Sequence, residues 1–267
     1  MKSATIRSIY YHNPTPQQLE RTLSWLIGRG YTFLSADEVC DIVTNKHMAK
    51  GRQVFMSFDD AWRSNLQLIP VIEKYNVPIT IFAPTEPLES GNYWWEYVAK
   101  EQREDFKELD YETFCSRVDR LRQQTVLERS CMTKEELRIL SRHPLVSIQS
   151  HTLTHPILTK LPEKLLLEEL KESKKQLEDI IQQEVNYFSY PNGSYTPREV
   201  EAARQVYKMA FTTDLHHITT GNDPLALPRI EITGRYYRDK LKFYNIWPLI
   251  RRVGLYMLHK PQDRQCQ

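Results

Sequence analysis

Three short apolar runs in this chain each stop at a polar motif, and that pattern restricts the fold more than any other feature. Residues 54–58 lead into Asp59-Asp60, residues 145–149 into Ser150-His151-Thr152-Leu153-Thr154-His155, and residues 187–190 into Pro191-Asn192-Gly193. Helical spacing fills the gaps. Leu19, Leu23, Leu26 and Ile27 share a face over 16–29, closed by Gly30, and 162–183 reads as a long amphipathic helix. Further strands are expected at 4–11, 77–83, 209–213 and 227–232, with a helix at 197–206. Residues 62–75 have helical spacing that Pro70 should distort. Thr133 with Glu136 is a capping-box pattern that opens another helix. Strands alternating with helices mean parallel βαβ units, hence an α/β fold. In such folds active sites assemble at the C-terminal strand edge, where all three polar motifs sit. Residues 88–132, charged and aromatic, break the rhythm and read as a helical insertion.

The 267 residues suffice for one large domain with a substantial core. A net charge of +2 argues against a nucleic-acid partner. Cys40, Cys115, Cys131 and Cys266 form no C-x-x-C pair, so neither a zinc knuckle nor a redox motif is indicated. Residues 1–7 lack the apolar core of a signal peptide, and no segment is long and apolar enough to span a bilayer. The expectation is a cytoplasmic protein with reduced thiols. Residues 235–264 carry eight Lys/Arg against two Asp, interleaved with Phe243, Tyr244, Trp247 and other apolar side chains. Such a basic amphipathic extension either covers the core as a terminal helix, the favoured reading, or makes weak peripheral contact with an anionic membrane surface.

Two histidines four apart can reach one metal from the same side of a backbone turn. Adjacent aspartates at a strand end can supply a third ligand and a base. Two imidazoles and one carboxylate leave positions open for water, as hydrolytic metal sites require. Either motif alone has a bland reading: the aspartates as a helix cap and solvated turn, the histidines as a polar pair on an exposed face. Together, each after an apolar run, they favour a metal site. His12, after the first strand, fits a pocket wall as well as a core.

The motifs resemble those of a known family. Ser57-Phe58-Asp59-Asp60-Ala61 is similar to the Thr-Phe-Asp-Asp-Gly motif of the polysaccharide deacetylases, which share the NodB homology domain (carbohydrate esterase family 4-like). The run 150–155 resembles their histidine motif, and Tyr190-Pro191-Asn192-Gly193 their third motif. Ile9-Tyr10-Tyr11-His12 and Leu227-Pro228-Arg229-Ile230 resemble features of a bacterial branch. The likeness covers roughly residues 4–232, with the motifs in order. It implies a deformed (β/α) barrel of about seven strands over 1–234, with 235–267 as a C-terminal extension. It also implies metal-dependent removal of an acetyl group from an N-acetylated saccharide of a surface polysaccharide or its precursor. By position, Asp59 matches the catalytic base and Asp60, His151 and His155 the ligands of one divalent metal. Zinc suits that set, though cobalt, nickel or manganese accept it. The Asn192 backbone N–H matches the oxyanion donor. His12, Tyr190, Pro191 and Gly193 are the substrate-contact candidates.

Three departures bear on the chemistry. Ala61 replaces a glycine, which matters if that position has φ > 0. The arginine that orients the base is missing before Pro191, where Phe188 and Ser189 stand, so Arg229 is assigned that role. The late histidine that serves as general acid has no clear counterpart; His216, His217 and His259 are the candidates. Two rivals follow. A hydrolase of small non-sugar amides would show a narrow pocket closed by the 88–132 insertion. A catalytically silent saccharide-binding protein would explain the missing acid but not the retained Asp59/Asp60/His151/His155 set.

Overall fold

The structure, a computed structural model, describes residues 5–244. Its strands are β1 (Thr5–Tyr11), β2 (Thr32–Leu34), β3 (Gln53–Asp59), β4 (Ile79–Ala83), β5 (Val146–Ser150), β6 (Tyr187–Ser189), β7 (Met209–Phe211), β8 (Ile218–Thr219) and β9 (Ile230–Glu231). The α-helices are α1 (Pro16–Ile27), α2 (Ala36–Val43), α3 (Ile69–Tyr75), α4 (Glu86–Ser90), α5 (Arg103–Glu108), α6 (Tyr111–Gln124), α7 (Lys134–Leu140), α8 (Glu163–Ile181), α9 (Pro197–Arg204) and α10 (Tyr236–Phe243).

Parallel pairing runs β7-β6-β5-β4-β3-β1. The segment 227–231 curls this sheet toward closure: Leu227 bridges Phe211 of β7, and β9 pairs in parallel with β1 at Ile9 and Tyr10. Seven parallel positions therefore surround one interior, the deformed (β/α) barrel expected. Two short strands were not anticipated. β8 pairs antiparallel with the start of β1, and β2 pairs with the start of β3.

Period-two alternation assigns the two faces of each strand. Phe55, Phe82, Tyr187, Phe211 and Leu227 form the inner cluster, while Val54, Met56, Ile81, Ile148 and Phe188 pack with residues of α1, α3, α7 and α8. Ser57 and Asp59 share the inner face with Phe55, Ser189 shares it with Tyr187, and Arg229 with Leu227. The register thus delivers these polar groups to the mouth of the barrel.

Local chemistry sets the helix ends. Thr15 caps α1 in a capping box with Gln18, with Pro16 in the first turn. Thr133 and Glu136 form the box that opens α7. The 62–75 stretch splits: a 3₁₀ segment, Arg63–Leu68, precedes α3, and Pro70 falls in the first turn of α3, where its missing N–H breaks no helical bond. The insertion is helical, and Trp94, Val98, Phe106 and Val118 form its own small core. α10 begins at the expected start of the C-terminal extension. Phe243 at its end is fully buried, with Trp25, Tyr31 and His217 edge-on around it. Residues 245–267, with His259, Cys266 and most of the basic amphipathic extension, lie outside the described residues. Among the described residues no helix is long and apolar enough to cross a membrane.

Candidate active site

Asp59 closes β3, and the chain then turns sharply: Asp60 has φ 76° and Ala61 φ 57°. The position where a glycine was expected does require the left-handed region, so alanine there is strained by roughly 1 kcal/mol. Contacts over-determine the turn. The Tyr93 hydroxyl donates to the Asp60 carbonyl at 2.7 Å, the Trp62 indole N–H to Asp60 Oδ2 at 3.0 Å, and the Met132 N–H to the Ala61 carbonyl at 3.1 Å.

Arg229 is wholly buried and grips Asp59 with both arms, Nη1 to Oδ1 at 2.7 Å and Nη2 to Oδ2 at 2.8 Å. It also donates to Ser57 Oγ at 2.8 Å, to Ser189 Oγ at 2.6 Å and to the Thr212 carbonyl at 3.2 Å. Its guanidinium lies 4.5 Å from the Tyr10 ring centroid. Burial pushes the Asp59 carboxyl up, but the Arg229 charge and its hydrogen bonds outweigh burial and hold Asp59 below the usual range. Arg229 thus stands where an arginine preceding Pro191 was missing, and Ser189 becomes one of its acceptors.

His151 follows β5 directly. Its Nδ1 donates to the Ser189 carbonyl at 2.7 Å, which assigns the tautomer and leaves Nε2 free to face Asp60. His155, at φ 56°, brings its Nε2 to 3.5 Å from Asp60 Oδ1, and His151 Nε2 lies 3.6 Å from the same oxygen. One potential ligand atom from each of the three residues lies within 4.8 Å of the others. Burial lowers both histidines, so the imidazoles are neutral and able to ligate; burial also raises Asp60. Asp60 Oδ1 is buried without a hydrogen-bond partner, an orphaned acceptor between two neutral nitrogens. A divalent ion fits that donor set and would satisfy that oxygen.

Residues not anticipated hold this loop. Glu169 of α8 accepts from the Leu153 N–H at 2.9 Å, the Thr154 N–H at 2.9 Å and Thr154 Oγ1 at 2.7 Å. The Trp94 indole donates to the His155 carbonyl at 3.0 Å, and the Trp95 ring stands edge-on to His155 at 4.6 Å. The insertion therefore braces both Asp60 and His155. Glu169 was legible as a charge inside the apolar stripe Leu166, Leu170, Leu177. Tyr93 and Trp94 gave no comparable signal.

A cavity of about 550 Å³ opens over Asp59, Asp60, His151 and His155. Tyr10, His12, Tyr190, Asn192 and Thr213 form one side, and Trp62, Trp94 and Trp95 another. The Tyr190 hydroxyl is spent on the Leu225 carbonyl at 2.8 Å, so Tyr190 presents its ring. Asn192 turns at φ 55°. Pro191 and Gly193 are not among the residues lining the cavity; they shape the turn. Gly193 has φ 66°, and a Cβ there would meet Thr213 Oγ1 at 1.9 Å. His216 and His217 line a separate cavity beside Arg7 and Asp214, which removes both as proton donors to this site.

The barrel is a NodB-like scaffold, and at its mouth it carries a buried three-residue cluster able to hold a metal ion. The sequence profile of the family described as polysaccharide deacetylase matches residues 46–210, and the chain belongs to that family, whose members hydrolyse amide bonds. YxkH of Bacillus subtilis (strain 168) is 23% identical over 219 residues; the match covers 81% of this chain and 64% of that protein, so the chain spans under two thirds of its relative. Among solved structures, the Streptococcus pyogenes deacetylase PplD in complex with acetate superposes with a TM-score of 0.66 at 22% identity, covering 87% of this chain and 93% of that one. IcaB from Ammonifex degensii gives 0.65 at 19% identity, covering 90% and 97%. At these identities the structural likeness establishes the fold.

Proposed function

We propose that the protein is a divalent-metal-dependent deacetylase that removes the N-acetyl group of an amino sugar in a surface polysaccharide or its precursor. The observation that carries this reading is the separation of the adjacent aspartates. Asp59 is clamped by Arg229, whereas Asp60 Oδ1 faces two neutral imidazoles and nothing else. Asp60, His151 and His155 hold the ion, and zinc suits two nitrogens and an oxygen best. When bound, the ion supplies Lewis-acid polarisation of the amide carbonyl and acidifies water. Asp59, kept ionised by Arg229, retains free lone pairs on both oxygens and takes the proton of the attacking water. The water oxygen bonds to the acetyl carbon, and the Asn192 N–H faces the developing oxyanion. A proton then passes to the amide nitrogen as the C–N bond breaks, leaving acetate and the free amine. His12 is the described histidine on the cavity wall outside the ion-binding set, and we assign it this step. Glu231 Oε1 lies 3.9 Å from His12 Nδ1. Trp62 and Trp95 offer faces on which a sugar ring packs.

The volume falls within the ~300–1,000 Å³ range of ligand pockets. The insertion walls the cavity on one side and does not close it, which favours a saccharide over a small amide. Acetate release from chitooligosaccharides, measured with and without a chelator, tests the proposal. Release should stop on chelation and return with added zinc; a rate indifferent to chelation contradicts it.

A further inference from the structure

The insertion contributes more than braces. Lys100, Arg103 and Lys107 line the cavity together, spaced three and four residues apart, against a single carboxylate, Glu104. That carboxylate is taken: Lys107 Nζ pairs with Glu104 Oε1 at 2.8 Å. Among the described residues, Lys100 and Arg103 form no ion pair. Arg103 is half-buried, and its Nε donates to the Val98 carbonyl at 3.3 Å, which anchors the head group while leaving its two terminal amino groups without a hydrogen bond among the described residues. α5 is a firm mount, because Phe106 is buried against Trp94 and Val98 in the core of the insertion. The acidic groups at the opposite end do not answer these cations. Asp59 is spent on Arg229, and Asp60 lies in the ion-binding set. A cavity whose bound substrate is an uncharged sugar alone would leave two cations facing it without a counter-charge. A solvated surface run would not place a half-buried guanidinium on the wall of the reacting cavity.

From this we infer that Lys100 and Arg103 form a subsite for an anionic group, a phosphate ester or a uronate carboxylate, carried by the substrate next to its N-acetylated sugar. The inference rests on the deacetylase reading and narrows it to acidic saccharides. The subsite raises kcat/KM through encounter and positioning, so its contribution is screened by salt.

Matched pairs of probes test it. N-acetylglucosamine 1-phosphate is compared with N-acetylglucosamine, and a hyaluronan tetrasaccharide with chitotetraose, on zinc-loaded enzyme and on the Lys100→Gln/Arg103→Gln double variant. The expected result is at least a tenfold higher kcat/KM for one anionic member over its neutral partner at low salt. That ratio should fall toward one at high salt and in the double variant. Whichever pair shows the preference identifies phosphate or carboxylate. A ratio near one in both pairs, or one unchanged in the double variant, overturns the subsite. Binding of the same four probes to the Asp59→Asn enzyme, followed by calorimetry, judges the subsite separately from turnover. If acetate is released from none of the probes, the deacetylase reading is what fails. The subsite then stands only if an anionic probe binds at least tenfold tighter than its neutral partner and loses that preference when Lys100 and Arg103 are replaced.

Discussion

Two side chains in the barrel mouth decide what the adjacent aspartates can do. Arg229 meets Asp59 as a planar fork on a carboxylate, a geometry that an ammonium cannot reproduce. Arg229→Lys should therefore fold but lose activity, with kcat falling by about 10²-fold or more and KM changing little, since a mis-set base affects proton transfer first. Steady-state kinetics on a chitooligosaccharide checks this; a variant with wild-type kcat removes Arg229 from the account. Arg229→Ala should also unfold more easily, by about 3–5 kcal/mol, because it strands a buried carboxylate. The contact of Arg229 with Asp59 was legible from a gap, since an arginine was missing before Pro191 and another stood on the last strand. The function of Ser189, whose hydroxyl accepts from Arg229 and whose carbonyl fixes the His151 tautomer, was not. Nothing in a sequence says which way a carbonyl points.

At the scale of elements, the insertion and the last described helix carry the most consequence. Tyr93 and Trp94 hold the carbonyls of Asp60 and His155, two residues forced to positive φ. Tyr93→Phe and Trp94→Phe should weaken metal binding by roughly 10–100-fold, as losses of supporting hydrogen bonds around metal ligands do. A competitive chelator titration measures this, and affinities equal to wild type would reduce the insertion to a substrate wall. α10 is tied down where His217 Nε2–H donates to the Phe243 carbonyl at 2.7 Å. Burial, with the Arg7 charge adding to it, lowers His217 from 6.5 to about 4. The unfolded chain therefore takes up a proton below pH 6.5 that the folded one resists until about pH 4. Stability should be full above 6.5 and decline as pH falls through that window, by about 3 kcal/mol in all. Denaturant unfolding of His217→Gln beside wild type isolates the effect: the variant should show a flatter profile, and an identical slope contradicts the assignment. β2 and α2 were overlooked, although Ser35 and Glu38 form the box that caps α2. The signal was present, but a three-residue strand carries too little periodicity to call attention to it. β8, with two residues, offered less still.

For the molecule as a whole, register links fold to site. The alternation that buries Phe55, Phe82 and Phe211 inside the barrel lifts Ser57, Asp59, Ser189 and Arg229 to its mouth, where loops after β3 and β5 deliver Asp60, His151 and His155. The strands and the clustering of Asp60, His151 and His155 were legible because apolar runs and polar stops are local signals. The cavity's second wall was not, because it arises from a segment folded back across the barrel mouth from 88–132. The proton donor was sought late in the chain, at His216, His217 and His259; His216 and His217 line a separate cavity, whereas His12 lines this one, because the last strand returns beside the first. The central claim is that Asp59 and Asp60 divide the work, and metal stoichiometry by elemental analysis of Asp59→Asn beside Asp60→Asn tests it most directly. The account predicts that Asp59→Asn keeps about one equivalent of metal while kcat drops by about 10²–10⁴-fold, and that Asp60→Asn loses the metal. Equal metal loss in both variants, or an Asp59→Asn enzyme that turns over like wild type, would contradict it.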